Sequence, residues 1–315
     1  KPDIAALQAE AQVWRHDIHK HPELGFREQR TAGKVAGLLR DFGLDVHEGI
    51  GRTGIVGVLS KGSGTSAIGL RADIDALPIR EANEFDHRSV NDGVFHGCGH
   101  DGHTAMLLAA AKYLSEFGAF DGTVYFIFQP SEEDGRGALA MIEDGLFERF
   151  PMGAVFGMHN MPGIPAGHFA VRKGGMLTSE DIFVITIEGR GGHASMPDRA
   201  IDPVVIAAEV ILALQSIVAR SVAPRDWGVV SVTEVLTDGA RNVIPSTVTI
   251  KGDCRAMSTE VQTLIETRMR EIVAGISAAH GAQGSVEYRN DFIVTVNSPA
   301  ETDAAIAAAR NTAGI

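Results

Sequence analysis

Short apolar runs alternating with helical patterns through the first half of the chain restrict its fold more than any other feature. "GIVGVLS" at 54–60, "AIGLRAD" at 67–73, "TVYFIFQ" at 123–129 and "GAVFGMH" at 153–159 read as buried strands. Each is apolar nearly throughout and too short for a core helix. Helical spacing surrounds them. Ile4, Leu7, Ala11, Trp14 and Ile18 share a face that ends before Pro22, and Ala32, Val35, Leu39 and Phe42 mark a second helix over 29–42. Further helices fit near 103–116 and 136–145. This alternation predicts an α/β domain on a mixed, largely parallel sheet with helices on both faces.

The pattern changes near residue 180. "DIFVITIEG" (181–189) reads as a strand, and 201–222 as a helix with Asp202 as N-cap and Pro203 at its first position. "GVVSVTEV" and "STVTIKGDCRA" give two more strands. A helix over 259–279 carries a stripe of Val261, Leu264, Ile265, Ile272, Val273 and Ile276, with Thr259 and Gln262 as a capping box. "GSVEYRN" (284–290) is the last strand. The order β-α-β-β-α-β is that of a ferredoxin-like unit. The expected arrangement is an inserted α+β lid at 180–290 within a catalytic domain formed by 1–179 and 291–315. The last segment would return to the first domain and open a helix where the sequence stops, so the chain reads as truncated.

At 315 residues the chain suggests two domains. A net charge of −12 argues against nucleic acid and anionic membranes as partners. No apolar run reads as long enough to span a bilayer. Two cysteines, Cys98 and Cys254, stand far apart, which fits a reducing, cytoplasmic setting without a disulfide framework.

Polar residues collect where the strands end, the edge at which open α/β sheets bind ligands. Asp73 and Asp75 follow one strand, Glu132 and Glu133 another, and His159 a third. In "HGCGHDGHT" (96–104), Cys98 and His100 stand two apart, so an extended backbone points both the same way. Thiolate, imidazole and carboxylate together suit zinc or another divalent transition ion. The residues alone leave three readings open: a metal site, a nucleophilic Cys98 with a histidine helper, or a polar loop. "PSEED" (130–134) offers one carboxylate for a metal and a neighbour for general base work, or is a solvated acidic turn. The histidines of "RHDIHKHPE" (15–23) read as cations favoured at a helix C-terminus. Cys254 reads as a core residue.

Taken in order, "RHDIHKHPELGFRE", "LRADIDALPI", "HGCGHDGHTAMLL", "QPSEED", "FGMHNMPGIPAG", "GRGGHASMP" and "NVIPSTVTIKGDCRA" resemble the amidohydrolase branch of the di-metal aminoacylase/carboxypeptidase superfamily. That branch holds hippurate hydrolases, N-acyl-amino-acid amidohydrolases and auxin-conjugate hydrolases. The resemblance implies that Cys98, His100, Glu133 and His159 ligate two divalent metal ions per subunit, zinc first, with manganese, cobalt or nickel as alternatives. It implies Glu132 as general base and then acid, and His193 as an oxyanion donor reaching the partner subunit's site. Asn242 and Arg255 would contact the substrate carboxylate. Asp73 would stand behind the ligands, because Arg71 occupies a position held by a ligand histidine in the peptidase branches. The implied substrate is an N-acyl amino acid, and the implied assembly a homodimer or homotetramer through the lid. The family's last ligand histidine lies beyond the end of this sequence. A metallo-carboxypeptidase or dipeptidase, and a truncated, non-catalytic metal-binding form, are the alternatives.

Overall fold

The computed structural model describes residues 2–313, which divide into two compact units between residues 164 and 165. In the first, helices α1 (Pro2–Lys20) and α2 (Gln29–Asp41) precede strands β1 (Asp45–Ile50), β2 (Gly54–Lys61) and β3 (Ala67–Asp73). Helix α3 (His100–Phe117), strand β4 (Gly122–Gln129), helices α4 (Gly137–Glu143) and α5 (Leu146–Arg149) and strand β5 (Ala154–Gly157) follow. The sheet order is β1-β2-β4-β3-β5.

β3 runs parallel to β4 and to β5, whereas β2 is antiparallel to β1 and β4. The sheet is therefore evenly mixed rather than largely parallel. The difference arises from β1, whose polar "DVHEGI" has no apolar run and which pairs with β2 across a tight reversal. Helices cover both faces, and the alternation along the strands shows why. Ile55, Phe126 and Phe128 pack with Trp14, Val35, Leu39 and Leu108 on one side, while Val56 and Ile127 pack with Met141, Leu146 and Phe150 on the other.

The second unit contains β6 (Gly174–Leu177), β7 (Glu180–Glu188), β8 (Gly192–His193), α6 (Pro203–Ser216), β9 (Gly228–Thr237) and β10 (Val243–Ile244). It continues through β11 (Thr247–Ala256), α7 (Thr259–Ala279), β12 (Gln283–Phe292), β13 (Thr295–Asn297) and α8 (Pro299–Ala313). Its main sheet is antiparallel, in the order β12-β7-β11-β9, with α6 and α7 packed on a core of Phe183, Ile185, Ile250, Val210 and Ile265. That is the β-α-β-β-α-β unit expected over 180–290. Residues 165–179 and 291–313 group with this unit, where β6 pairs with β13 and Lys173 bridges Asp303.

Asp202 caps α6 by accepting the Val204 N–H. At α7 the cap is Ser258, which accepts from Val261, and not the Thr259–Gln262 box; the Gln262 amide instead donates to buried Asp181. One helix, Pro203–Ser221, is long and apolar enough by length and composition to cross a membrane, contrary to the sequence reading. It buries Ile206, Val210, Leu214 and Ile217 in the second core.

Candidate metal and catalytic site

Because β3, β4 and β5 run parallel, their carboxyl ends fall at one edge of the first unit's sheet. β3 leads into Asp73 and Asp75, β4 into Glu132 and Glu133, and β5 into His159. The start of α3 brings Cys98 and His100 to the same edge. Gly99 makes the abrupt entry feasible: its φ is 90°, and a Cβ there would lie 2.5 Å from Asn160 Oδ1.

The hydrogen bonds fix which ring nitrogens are free. His100 Nδ1 donates to the Asp75 carbonyl oxygen at 3.0 Å and lies 3.2 Å from Asp75 Oδ1. Its Nε2 is buried and unpartnered, 3.7 Å from each of Asp73 Oδ2, Glu132 Oε2 and Glu133 Oε1. His159 Nδ1 donates to the Asn160 carbonyl at 2.6 Å, which turns Nε2 toward Cys98 Sγ at 3.3 Å. Glu133 Oε1 is also buried without a partner.

Two donor sets result, Cys98–His100–His159 and His100–Glu132–Glu133, each with its atoms within 4.8 Å of one another. Asp73, His100 and His103 satisfy the same distance, but both nitrogens of His103 are occupied. Nδ1 donates to Asp73 Oδ1 at 2.6 Å and Nε2 accepts the Asn160 N–H at 3.0 Å. His103 is thus a brace between β3 and the His159 segment. Asp73 is held by His103 and by Arg71 Nη1 at 2.7 Å, and stands behind His100.

The charges call for a cation. Burial would lower the pKa of His100, but its bond to Asp75 and the surrounding anions push it up to about 11. Burial and then the Asp73 charge push Glu132 up to about 7, and burial raises Glu133. His159 is lowered by burial. Buried lone pairs on imidazole and carboxylate that lack partners fit a bound divalent metal, with Asp75 orienting His100 from behind.

The remaining sequence candidates lie in the second unit. His193, on β8, is exposed, and its Nδ1 accepts from Ser195 Oγ at 2.8 Å. Asn242 is exposed, and its carbonyl accepts the Ala194 N–H. The Arg255 guanidinium is committed to Asp253 and Glu180, at 2.9 and 2.8 Å. Sequence reasoning placed Asp75 at the strand-end edge without a role, and missed His103 and Asn160 as parts of the site. His103 had a signal, because three residues after His100 puts both on one helix face. His19 is no solvated cation: it is buried, with Nδ1 on Asp101 at 2.9 Å and Nε2 on Glu81 at 3.1 Å.

Residues 69–315 match the model of peptidase family M20/M25/M40. The chain belongs to this family and is a hydrolase of amide bonds. Among its relatives, the hippurate hydrolase of Campylobacter jejuni is 45% identical over 313 residues, covering 99% of this chain and 82% of that protein. Thermostable carboxypeptidase 2 of Saccharolobus solfataricus is 38% identical, covering 96% and 78%. A solved Bacillus subtilis structure, described as a dinuclear metal-binding peptidase of the M20 family, superposes with a TM-score of 0.84 at 33% identity, covering 98% and 81%.

Proposed function

We propose that this chain hydrolyses N-acyl amino acids of the hippurate type to a carboxylic acid and a free amino acid, using two divalent metal ions per subunit. One observation carries this reading: His100 Nε2 and Glu133 Oε1 are buried and unpartnered beside Cys98 and His159. Likeness to a hippurate hydrolase supports the substrate class.

Cys98, His100, Glu133 and His159 would hold the metal, and this donor chemistry favours zinc over manganese, cobalt or nickel. Bound ions supply Lewis acidity to the amide carbonyl and acidify water. Glu132 takes the proton from the attacking water and returns it to the departing nitrogen. Arg71, Asp73 and His103 hold the surrounding charge in place. His193 is assigned to the developing oxyanion in the partner subunit's site, and Asn242 to the substrate carboxylate. Arg255 joins them only by releasing Glu180.

We further assign 180–290, the β-α-β-β-α-β part of the second unit, to a lid through which the chain forms a homodimer, and 1–179 with 291–315 to the catalytic domain; 165–179 and 291–313 group with the second unit through the pairing of β6 with β13. Edge strand β9, with exposed Val235 and Leu236, supports that assembly. Two free cysteines support a reducing, cytoplasmic setting.

The test is elemental analysis of the purified protein, with hippurate hydrolysis followed before and after chelation. Bound metal and turnover that is lost on chelation and restored by metal are expected. Glu132→Gln should keep the metal and lose roughly 10²–10⁴-fold in turnover. Release of C-terminal residues from peptides with no hydrolysis of hippurate would favour a carboxypeptidase, the second reading that the Saccharolobus relative motivates. Metal without turnover on either substrate would sink both.

A further inference from the structure

Glu28 begins α2, where a carboxylate ordinarily accepts the helix's first N–H groups. It makes no such cap. Its side chain is fully buried and turns instead to the loop after β4. Oε1 accepts the Ser131 N–H at 2.8 Å, and Oε2 accepts the Thr53 hydroxyl at 2.5 Å.

Ser131 is one of three non-glycine residues with positive φ among the described residues, at 48°. A serine stays in that region only when its surroundings hold it. The hold is built from several sides. Ser131 Oγ donates to Asp134 at 2.7 Å, the Ser131 carbonyl accepts the Gly137 N–H, and a Cβ on Gly25 would stand 2.4 Å from Ser131 Oγ. On the far side of Glu132, the Glu133 N–H donates to Asp75 Oδ2 at 3.0 Å. The backbone is tied at 131 and at 133, while the Glu132 carboxylate between them makes no hydrogen bond among the described residues.

We propose that Glu28 is a positioning residue for proton transfer: its carboxylate holds Ser131 in the left-handed conformation and thereby aims Glu132. This rests on Glu132 being the proton carrier. Glu28 lies 103 positions before Ser131 and touches none of the ligand side chains. Its effect should therefore fall on the chemical step and not on metal retention.

The experiment uses the full chain loaded with zinc, hydrolysing hippurate. Glu28→Ala should lower kcat by about 10- to 100-fold, the scale of a misplaced catalytic group, with KM and bound zinc unchanged. Glu28→Gln keeps an oxygen facing the Ser131 N–H and should retain most of kcat. Ser131→Gly in the Glu28→Ala background should recover part of the loss, because glycine adopts positive φ without a brace. A merely structural role would give no such recovery. If the alanine variant does not fold, Glu28→Asp keeps a buried carboxylate, shortens its reach by a methylene and should show the same fall in kcat. Unchanged kcat in the alanine or aspartate variant, or a fall matched by lost zinc, overturns the proposal. An active Glu132→Gln variant instead overturns the underlying assignment of the proton carrier.

Discussion

At His100 one imidazole faces two kinds of neighbour. Its Nδ1–H is fixed by Asp75, and its Nε2 looks into a group of carboxylates with nothing to bond. Asp75→Asn removes the negative charge behind it and one of two acceptor oxygens, since Asp75 Oδ2 also takes the Glu133 N–H. Asp75→Asn should weaken metal binding by about 10- to 100-fold, measured by titration against a chelator of known affinity. Unchanged affinity would mean that the Asp75 backbone carbonyl alone orients the ring. The donor types at 98, 100, 133 and 159, the ligands proposed above, are legible because local spacing and strand ends expose them. Asp75 is not, since its role exists only once β3 and α3 are adjacent.

Among the elements, the turn between β4 and α4 carries the closest packing. A Cβ on Gly137 would stand 1.5 Å from the Pro130 carbonyl oxygen, backbone against backbone, so no side chain can yield. Gly137→Ala should destabilise the protein by about 3 kcal/mol or more in urea unfolding, and reduce turnover with it. A contrasting case is Ser258→Ala, which removes the cap of α7. It should cost about 1 kcal/mol and leave hippurate turnover intact. Most helices and buried strands were readable from periodicity. β1 was not, because an edge strand with one partner needs no apolar run, and the capping residue of α7 was misplaced by one position because Gln262 is drawn to Asp181.

For the molecule as a whole, two linkages follow. A zinc ion held by the proposed site and not by the unfolded chain should, at about 100 times Kd, add ~2.7 kcal/mol and raise the thermal midpoint. A midpoint indifferent to zinc would argue against the assembled site. The second linkage is to pH, through His19, Asp101 and Glu81. Burial alone would lower the His19 pKa, but bonds to Asp101 and then Glu81 raise it above 6.5. The stability from this raised value is complete below 6.5 and is lost as pH climbs through the folded value. Burial would raise Asp101, but its bond to His19 holds it below 3.8, so its contribution is present above 3.8 and lost only in stronger acid. The thermal midpoint should therefore be highest between these limits and decline above neutrality. His19→Gln should flatten the decline; a slope unaltered by that change would remove His19 as its source.

The chain's own letters determined its alternation of strands and helices, the β-α-β-β-α-β order of its second unit and the chemical types of the donor side chains gathered at its strand ends. These are written in runs a few residues long, where side-chain period and burial act locally. Tertiary structure decided which lone pairs are free. His103 offers the same ring as His100, yet both its nitrogens are occupied while His100 keeps one bare. It also decided that Glu28 serves a loop and not its own helix. The partners that settle these questions lie 25 to 103 positions away, and no local pattern carries a hydrogen bond of that reach.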